Sequence, residues 1–328
     1  MAALDTAVYS PHEFKIYIKP EAAVGTSLKT AMQQINVNGI VQETTEIIKK
    51  IDIKSGSAGR ILQRTDVITN TDMAMTTISI PFELDRTSFT VLVEAVTGIE
   101  ADANSEVDVP YNYKWTELAT GAAPATTNTG TYTVCMASPI ANKSIYVPGC
   151  LLQELTITFD SGTDGGLGTG TAVFVSKFDR ETGQAAPTTP TTYGTDRPAL
   201  CDFTTRSIAG DDVILSKIEF MITNPALFLG CSGGEPELVA RGAEMVNKLN
   251  ISMKEDVNTV DMRELYYSGA DIVVNLTGTD IEIAGSYAKL ISDPAKTDAD
   301  GAVFADYELQ FTATTSGTVV NYKMDLDA

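Results

Sequence analysis

The sequence predicts a mainly-β fold, with a β-sandwich or barrel-like core, one or two short flanking helices and long loops. Three observations support this prediction. Threonine and other β-branched residues recur in short runs where apolar and polar positions alternate, the pattern of a half-buried strand. The 25 glycines and 13 prolines separate these runs and supply turns. Long runs of Ala, Leu, Glu and Lys, which favour helices, are scarce.

Alternating runs predict three strands in the first 84 residues. They are FKIYIKP (14–20), IIKKIDIKS (47–55) and MAMTTISIPFEL (73–84). Because proline has no backbone N–H group, Pro81 indicates a strand end, a sheet edge or a bulge. TSLKTAMQQIN (26–36) has weak helical character, and SFTVLVEAVTG (88–98) predicts a short helix that ends at Gly98.

The rest of the chain alternates between strands and loose stretches. Residues 100–133 and 181–199 are rich in small and polar residues, and we expect loops or linkers there. ELVARGAEMV (237–246) predicts a short helix. Further strands are predicted at residues 143–147, 151–159, 171–178, 212–224, 248–256, 270–278, 306–314 and 318–326.

A similar order of segments occurs twice along the chain. KKIDIK, TDMAMTTISIPFEL and TSFTVLVEAVTG are followed later by KLNISMKE, VDMRELYYSGADIVVNL and IEIAGSYAKLIS. This order predicts two β domains, residues 1–133 and residues 134–328. The first domain would end in a loose linker, and a strand of one half could pair within the sheet of the other. Two explanations of the repeated order stay open. One is a true duplication, and the other is the similar order of elements that is common among β proteins.

The formal net charge of −20 limits the possible partners. DNA and anionic membranes are themselves negative, so tight binding of either one is excluded. Two explanations of the charge stay open. One is solubility, and the other is a surface that must avoid adhering to a polyanion.

Cysteine and histidine usage gives no sign of a metal site. Cys135, Cys150, Cys201 and Cys231 show no CxxC spacing, and His12 is the only histidine. The N-terminal residues lack the apolar centre of a signal peptide, and no run approaches the roughly 20 apolar residues of a membrane span. We therefore expect a chain that is made and folded in a cytoplasm with its thiols reduced.

The glycine-rich run TDGGLGTG (163–170) raises the question of a phosphate-binding turn. Such a turn needs glycines at the spacing GxGxxG or GxxxxGK[ST], followed by a helix whose N-terminus faces the anion. Neither spacing is present, and the following TAVFVSKF alternates with the period of a strand. The run is therefore predicted to be the loop of a β-hairpin, and no nucleotide cofactor is expected.

The titratable residues do not suggest an active site. His12 has no recognisable nucleophile or orienting carboxylate, and the acidic pairs Asp211–Asp212 and Glu255–Asp256 fall at strand ends, where solvated charges are normal. Neither catalytic nor metal-binding residues are assigned, and we expect the chain not to be an enzyme.

Two loops contain residues of the kind found in binding sites. SDPAKTDADG (292–301) contains part of a calcium loop but lacks the glutamate that completes an EF-hand, so a turn is predicted. The polar loop GSAGRILQRTD contains Arg60, Arg64 and Asp66. We consider these three residues a candidate loop for contacts between subunits or rings.

Three successive segments resemble a known family. They are YSPHEFKIYIKP, TDMAMTTISIPFELDRTSFTVLVEAVTG and SIYVPGCLLQELTITFDSGTDGGLGTGTAVF. Their order is similar to that of the major tail tube proteins of long, non-contractile-tailed bacteriophages. In that family a run like ISIPFEL and FTVLVEAVTG precedes a flexible middle, and a strand that opens on a PGC-like turn leads into a glycine-containing hairpin.

The resemblance implies one or two tail-tube domains, each a β-sandwich or barrel-like core with a flanking helix. Such chains form stacked rings around a lumen, with six chains per ring or three chains that each carry two tube domains. The implied partners are further copies of the chain, the tape measure protein and passing double-stranded DNA that is not held tightly. The implied location is the virion tail, assembled in the host cytoplasm without membrane insertion.

The composition agrees with this family in two respects. A negative lining would repel the phosphates of passing DNA, and strand edges would be paired between subunits in a closed ring. We expect the alternating strands 73–84 and 270–278 to line the lumen, and residues 116–133 and 181–199 to form inter-subunit arms or exterior loops. The alternative is a capsid-decoration or carbohydrate-binding β-sandwich, for which Tyr111, Tyr113 and Trp115 are the candidate aromatic residues.

Overall fold

The structure, a computed structural model, is built largely of antiparallel strands. It describes residues 13–51, 67–102, 105–110, 118–119, 130–242, 244–255, 261–293, 295–299, 302–312 and 317–324. Within these residues the chain forms two α-helices, α1 (Arg86–Thr97) and α2 (Met262–Ser268). The prediction of a mainly-β fold with few short helices is therefore confirmed.

The strands are numbered in chain order. They are β1 (Lys15–Pro20), β2 (Gln33–Ile35), β3 (Gln42–Ile51), β4 (Val67–Glu83), β5 (Glu106–Pro110), β6 (Leu118–Ala119), β7 (Tyr132–Ala137), β8 (Ser144–Asp160), β9 (Thr169–Ser176), β10 (Glu181–Gln184), β11 (Thr205–Ile208), β12 (Asp211–Asp212), β13 (Leu215–Thr223), β14 (Ala226–Leu229), β15 (Leu238–Arg241), β16 (Val246–Lys254), β17 (Ile272–Thr277), β18 (Ile281–Leu290), β19 (Ala295–Ala299), β20 (Ala302–Phe311) and β21 (Thr318–Met324).

Two large sheets form the body of the molecule. The first, called the large sheet below, has the order β3-β4-β9-β8-β13-β16-β20-β19. The second, called the opposing sheet, has the order β12-β11-β17-β18-β21-β5. The end of β18 also pairs with β20, and this pairing joins the two sheets along one side.

Strand β8 is shared between the large sheet and a smaller end sheet. Its second half pairs with β13 in the large sheet, whereas its first half pairs with β7 and β10, and β7 in turn pairs with β1 and β2. The strand bends at the PGC sequence, where Gly149 has a left-handed φ of 61°. A Cβ atom at Gly149 would lie 2.1 Å from the ring of Phe178, so only glycine fits this bend.

The inward faces of the two large sheets pack on each other and make one continuous core. Phe220 of β13 stacks on Tyr322 of β21 with ring centroids 5.4 Å apart. The ring of Phe89 in α1 meets Phe220 edge-on at 6.1 Å. Burial of aromatic rings of this size removes much apolar area from water, which is the main stabilising contribution of such a sandwich.

Helix α1 has the boundaries that its sequence indicates. Asp85 accepts hydrogen bonds from the backbone N–H groups of Thr87 and Ser88 and caps the first turn. Gly98 takes the left-handed conformation that ends the helix, as predicted. The apolar face of the helix, consisting of Phe89, Leu92, Val93 and Val96, is buried against both sheets.

Most of the strand predictions are confirmed, including the position of Pro81. Ser79 is the last residue of β4 that pairs with β3, and Pro81 lies beyond it, two residues before the end of β4. Past Ser79, this side of β4 meets residues 36–38 in an isolated bridge between Val37 and Phe82, and the Pro81 carbonyl oxygen accepts from the Asn38 N–H group. Residues 143–147 and 151–159, predicted as separate strands, are one continuous strand.

Two helix predictions were wrong. Residues 26–36 contain β2 and residues 237–246 contain β15, with no α-helix in either segment. Gln33 pairs with Ile18, and Val239 pairs with Phe228, so cross-strand pairing and burial outweighed a weak local preference for helix. The loop predicted over residues 100–133 also contains a strand, β5, which pairs with β21.

The order of elements seen twice in the sequence is not repeated in the structure. The segment expected to match the long strand β4 begins instead with α2, and the segment expected to match α1 is the strand β18. Strand pairs β1–β7, β4–β9 and β5–β21 cross the expected boundary at residue 133. A division into two domains at this point stays a prediction.

Candidate functional surface

The outer face of the large sheet is polar and partly exposed. Because side chains alternate along a strand, the residues between the buried core positions of β4, β8, β13, β16 and β20 point away from the sandwich. Strand pairing aligns one row across six strands, consisting of Glu83, Thr169, Thr158, Glu219, Asn250 and Glu308. This surface is called the acidic face below.

Carboxylates outnumber amines on the acidic face. The carboxylates are Glu83, Glu154, Asp160, Glu219, Asp306 and Glu308, and the amines are Lys217, Lys248 and Lys254. Lys217 pairs with Glu219 at 3.0 Å, and Lys248 pairs with Glu308 at 2.8 Å. Thr156, Thr171 and Ser252 lie among the other positions, together with apolar residues such as Val173 and Met221, so the surface combines net negative charge with hydroxyl and apolar groups.

Glu219 lies at the centre of this surface and stays ionised. Burial by itself would raise the pKa of its carboxyl group. Hydrogen bonds from Asn250 Nδ2 at 2.9 Å and from Lys217 Nζ outweigh burial and hold the pKa below its ordinary value. The negative charge in the middle of the sheet is therefore retained at neutral pH.

A shallow depression of about 490 Å³ lies where β13, β16 and β20 meet on this face. Lys217, Glu219, Asn250, Asp306 and Glu308 are among its lining residues. Nowhere in the described ranges do three His, Cys, Asp or Glu side chains come together in a way that could hold a metal ion. The depression has the chemistry of an open, acidic surface.

The two outer strands of the large sheet are unpaired on one side. In the part of the chain that the structure describes, β3 pairs only with β4 and β19 pairs only with β20. Each presents backbone N–H and C=O groups that could pair with another chain. The sheet can therefore be extended at both ends.

The hairpin β3–β4 extends beyond the rest of the large sheet. Strand β4 pairs with β9 only from Thr76 to Glu83, whereas β3 and β4 continue to pair with each other as far as Ile51 and Val67. The far half is thus a two-stranded ribbon, an arrangement that is at best marginally stable alone in water. The candidate contact residues Arg60, Arg64 and Asp66 lie outside the described residues, in the segment that joins these strands.

The two strands predicted to line a lumen are in different sheets. Residues 73–84 belong to β4 of the large sheet, and residues 270–278 include β17 of the opposing sheet. The sequence therefore identified two alternating strands that the fold places on opposite outer faces. On the outer face of β17, Val273 is 51% exposed, so this strand is less polar than the acidic face.

The opposing sheet carries its own small group of acids. Burial raises the pKa of Asp108, and the neighbouring charges of Glu106 and Asp102 raise it further. The pKa of Glu282 is also raised by burial and by Glu106, while Lys323 acts in the other direction. Lys323 pairs with Glu106 at 3.3 Å, which partly neutralises the group.

The glycine-rich run joins two strands as predicted. Thr158 of β8 pairs with Thr169 of β9, and no α-helix follows the loop. A Cβ atom at Gly170 would lie 2.3 Å from the Thr156 carbonyl oxygen, and one at Gly168 would lie 2.8 Å from the Phe159 ring. These glycines allow close packing within the chain, and the loop is followed by a strand where a phosphate-binding turn would be followed by a helix.

The stretch at 181–199, predicted as a loop, begins with the strand β10 and then packs along other parts of the same chain. Backbone hydrogen bonds join Thr188 to Lys29 and Thr191 to Met32. Farther along, the Gly194 N–H group donates to the capping carboxylate of Asp85. This segment, residues 185–199, is called the strap below.

The remaining sequence candidates either lie apart in the structure or lie outside the described residues. Asp211 and Asp212 are successive residues of β12, so their side chains point to opposite sides of the strand and cannot act as a close pair. Asp256, His12, Tyr111, Tyr113 and Trp115 lie outside the described residues. The four cysteines are free, and burial raises the pKa of Cys135 to about 12, which keeps its thiol protonated.

An aromatic pair that sequence inspection missed lies on α2. The rings of Tyr266 and Tyr267 are 5.5 Å apart and inclined at 60°, and Tyr267 is 73% exposed. Two rings at this angle do not form one flat platform for a sugar. This geometry does not favour the carbohydrate-binding alternative.

No protein-family model matches the chain, and a search of curated proteins also found no match. Neither of the described helices has the length and apolar character required to span a bilayer.

Proposed function

We propose that this chain is a structural protein of a long, non-contractile bacteriophage tail and polymerises into the stacked rings of the tail tube. The acidic face carries the proposal. It is a broad sheet surface with an excess of fixed carboxylates, and in a ring it would line the conduit. A lining of this kind repels DNA phosphates within about 8–10 Å at physiological salt, so DNA would pass without being held.

The unpaired edges of the large sheet support ring formation. Pairing of the β3 edge of one copy with the β19 edge of the next would continue the sheet around a rotation axis. Closure would remove the edges that otherwise invite uncontrolled aggregation. Both six chains per ring and three chains per ring are compatible with this arrangement.

The ribbon β3–β4 supports contacts between copies. Residues 47–70 contain five basic and two acidic side chains, although the whole chain has a net charge of −20. A basic extension on an acidic body is complementary in charge to a second copy of the same chain. We propose that Arg60, Arg64 and Asp66 contact the neighbouring subunit or the next ring.

The proposal includes further partners and a location. Other copies of the chain form the ring and the stack, and the tape measure protein and double-stranded DNA occupy the lumen in turn. The assembled protein belongs to the virion tail and is produced in the host cytoplasm. Neither enzymatic activity nor a cofactor is part of the proposal.

Negative-stain electron microscopy of the purified protein tests this function. We expect rings or hollow tubes whose formation increases with protein concentration. Class averages viewed along the axis would show whether three or six chains form a ring. A protein that stays monomeric at the highest soluble concentration, with its fold verified by circular dichroism, would contradict the proposal.

A further inference from the structure

Asn38 is the one asparagine in the sequence that precedes a glycine. Asn38 and Gly39 lie in the short connection between β2, which ends at Ile35, and β3, which begins at Gln42. The side chain of asparagine carries an amide carbon that the backbone nitrogen of the next residue can attack. Glycine has no Cβ atom to hinder that approach. In a folded protein, exposure and hydrogen bonding of the two residues then decide whether the attack occurs.

The Asn38–Gly39 pair is open to solvent. Both residues are exposed, and the following Ile40 is 73% exposed. Gly39 also lines a groove of about 570 Å³ that the strap borders on another side. Water therefore reaches the pair, and the Asn38 side chain has space to rotate.

The hydrogen bonds near the pair leave both reacting groups unoccupied. Among the described residues, neither the Asn38 side chain nor the Gly39 N–H group has a hydrogen-bond partner. The backbone N–H group of Asn38 donates to the Pro81 carbonyl oxygen at 3.3 Å, and Val37 forms a bridge with Phe82. The chain is thus held just before the pair, whereas the nitrogen that would attack is outside the sheet ladder.

Two other asparagines lack this combination. Asn142 is also exposed, but Lys143 follows it, and the Lys143 N–H group donates to the Ile140 carbonyl oxygen at 3.3 Å. The Nδ2 group of Asn36 is held by Glu83 Oε2 at 3.0 Å. Asn38 therefore differs from both in its own hydrogen bonding and in that of the next residue.

We propose that Asn38 is a site of spontaneous deamidation through a cyclic imide. The Gly39 nitrogen loses its proton to a solvent base and attacks Cγ of Asn38. The bond from Cγ to Nδ2 then breaks, and the side-chain nitrogen takes up a proton and leaves as ammonia. Water opens the imide at one of its two carbonyl carbons, which gives aspartate or isoaspartate. The net reaction consumes one water molecule and releases one ammonia molecule.

The modification changes the surface beside β3. Either product adds a carboxylate that is ionised at neutral pH to a chain whose net charge is already −20. Isoaspartate also places an additional carbon atom in the backbone. In the described part of the chain, β3 pairs only with β4, so the change falls next to an unpaired sheet edge.

Peptide mass spectrometry of the folded protein tests the site. During incubation, the peptide that contains Asn38 should gain about 1 Da, the difference between an amide NH₂ group and a hydroxyl group. The rate should rise about tenfold from pH 7 to pH 8, because the attacking species is the deprotonated nitrogen. The peptide that contains Asn142 should stay unchanged over the same period. Aspartate without isoaspartate would indicate direct hydrolysis and would overturn the cyclic route.

A synthetic peptide of residues 33–43 shows the rate that the sequence alone permits. We expect the folded protein to deamidate at Asn38 within about tenfold of the peptide rate, because the fold leaves the pair exposed. A slower reaction in the folded protein would mean that the structure holds Asn38 and Gly39 away from the geometry of attack, and the proposal would fail.

Two variants test the chemistry. Gly39→Ala should slow the reaction at least about tenfold, because the added Cβ atom hinders the approach of the nitrogen. Its fold would be verified by circular dichroism, since this Cβ atom would lie 3.0 Å from the Pro81 ring. Asn38→Gln adds no atom at that contact and should also be at least about tenfold slower, because its longer side chain has to close a larger ring. A wild-type rate in either variant would overturn the proposal. All rates are measured on the dilute monomer, so they do not depend on whether the protein forms tubes.

Discussion

The guanidinium group of Arg241 donates a hydrogen bond to the carbonyl oxygen of Ala95 at 2.5 Å. This contact places a buried cation at the C-terminal end of α1, where the helix dipole is negative and carbonyl groups lack helical partners. The same side chain donates to the carbonyl oxygens of Leu152 and Asn224. Arg241 thus fastens the helix to β8 and to the turn between β13 and β14.

Replacement of Arg241 by alanine should lower the free energy of unfolding by about 3 kcal/mol or more, because several buried carbonyl groups lose their donor. Urea denaturation followed by circular dichroism would measure this. Arg263→Ala is the matched control, because Arg263 forms an exposed ion pair with Asp293, and it should cost less than about 1 kcal/mol. Equal effects of the two changes would refute this role of Arg241.

The hairpin glycines should differ sharply in their tolerance of a methyl group. Gly170→Ala should cost about 1–3 kcal/mol, because its Cβ atom would meet the Thr156 carbonyl oxygen and the Phe82 ring. Gly165→Ala should cost about 1 kcal/mol, since its φ is 68° but no atom lies within 4 Å of the added carbon. Chemical denaturation of both variants would decide whether close packing or backbone conformation dominates in this loop.

The buried carboxyl group of Glu21 should make stability depend on pH. Burial raises the pKa of this carboxyl group above its ordinary value of 4.5. Hydrogen bonds from the Gly149 N–H group and the Thr133 hydroxyl group act in the opposite direction but do not outweigh burial. A raised pKa in the folded state means that unfolding releases a proton, so the contribution of Glu21 to stability falls as pH rises through the window above 4.5.

The comparison with Glu21→Gln isolates this effect, because glutamine does not titrate. The wild type should lose stability relative to the variant as pH rises above 4.5, and the difference should level off once the pH passes the raised pKa. Denaturant titrations from pH 4 to pH 8 would provide the measurement. A difference that stays constant across this range would show that burial does not shift the pKa of Glu21.

Charge reversal on the acidic face should slow DNA transit. Glu154→Lys combined with Asp160→Lys should still allow tubes to form but should retard DNA ejection, more strongly at low salt because screening is weaker. Asp212→Lys, on the opposing sheet, is the control and should leave ejection unchanged. Normal ejection from tubes in which microscopy shows the new lysines facing the bore would defeat the electrostatic explanation.

Reversal of the basic charges in the segment that joins β3 to β4 should weaken assembly. Arg60→Glu combined with Arg64→Glu should leave the monomer folded and shift the concentration for tube formation upward by at least about tenfold, because the ribbon would then repel the acidic body of its neighbour. Sedimentation of tubes would measure the shift. Lys143→Glu, in an exposed turn, is the control, and an equal shift for it would argue against a specific contact.

The sequence by itself determined the elements that depend on residues close to one another in the chain. The apolar spacing from Phe89 to Val96 and the stop at Gly98 specify α1, and the alternation on both sides of the glycine run specifies the hairpin β8–β9. The net charge of −20 likewise follows from the sequence alone. Periodicity, helix capping and charge are properties of residues that are close in the chain, so these features do not depend on the rest of the fold.

Only the tertiary structure decided which of these elements become neighbours. Residues 26–36 and 237–246 became strands because partners distant in sequence supplied backbone pairing and burial. The acidic face exists because pairing aligns Thr158, Glu219 and Asn250 from three separate strands. The pattern of apolar and polar residues along one strand shows that its side chains alternate between two faces. It does not show which other strand lies beside it. The order of strands in a sheet depends on long-range contacts, and for that reason the fold placed β4 and β17 on opposite faces although their sequences alternate alike.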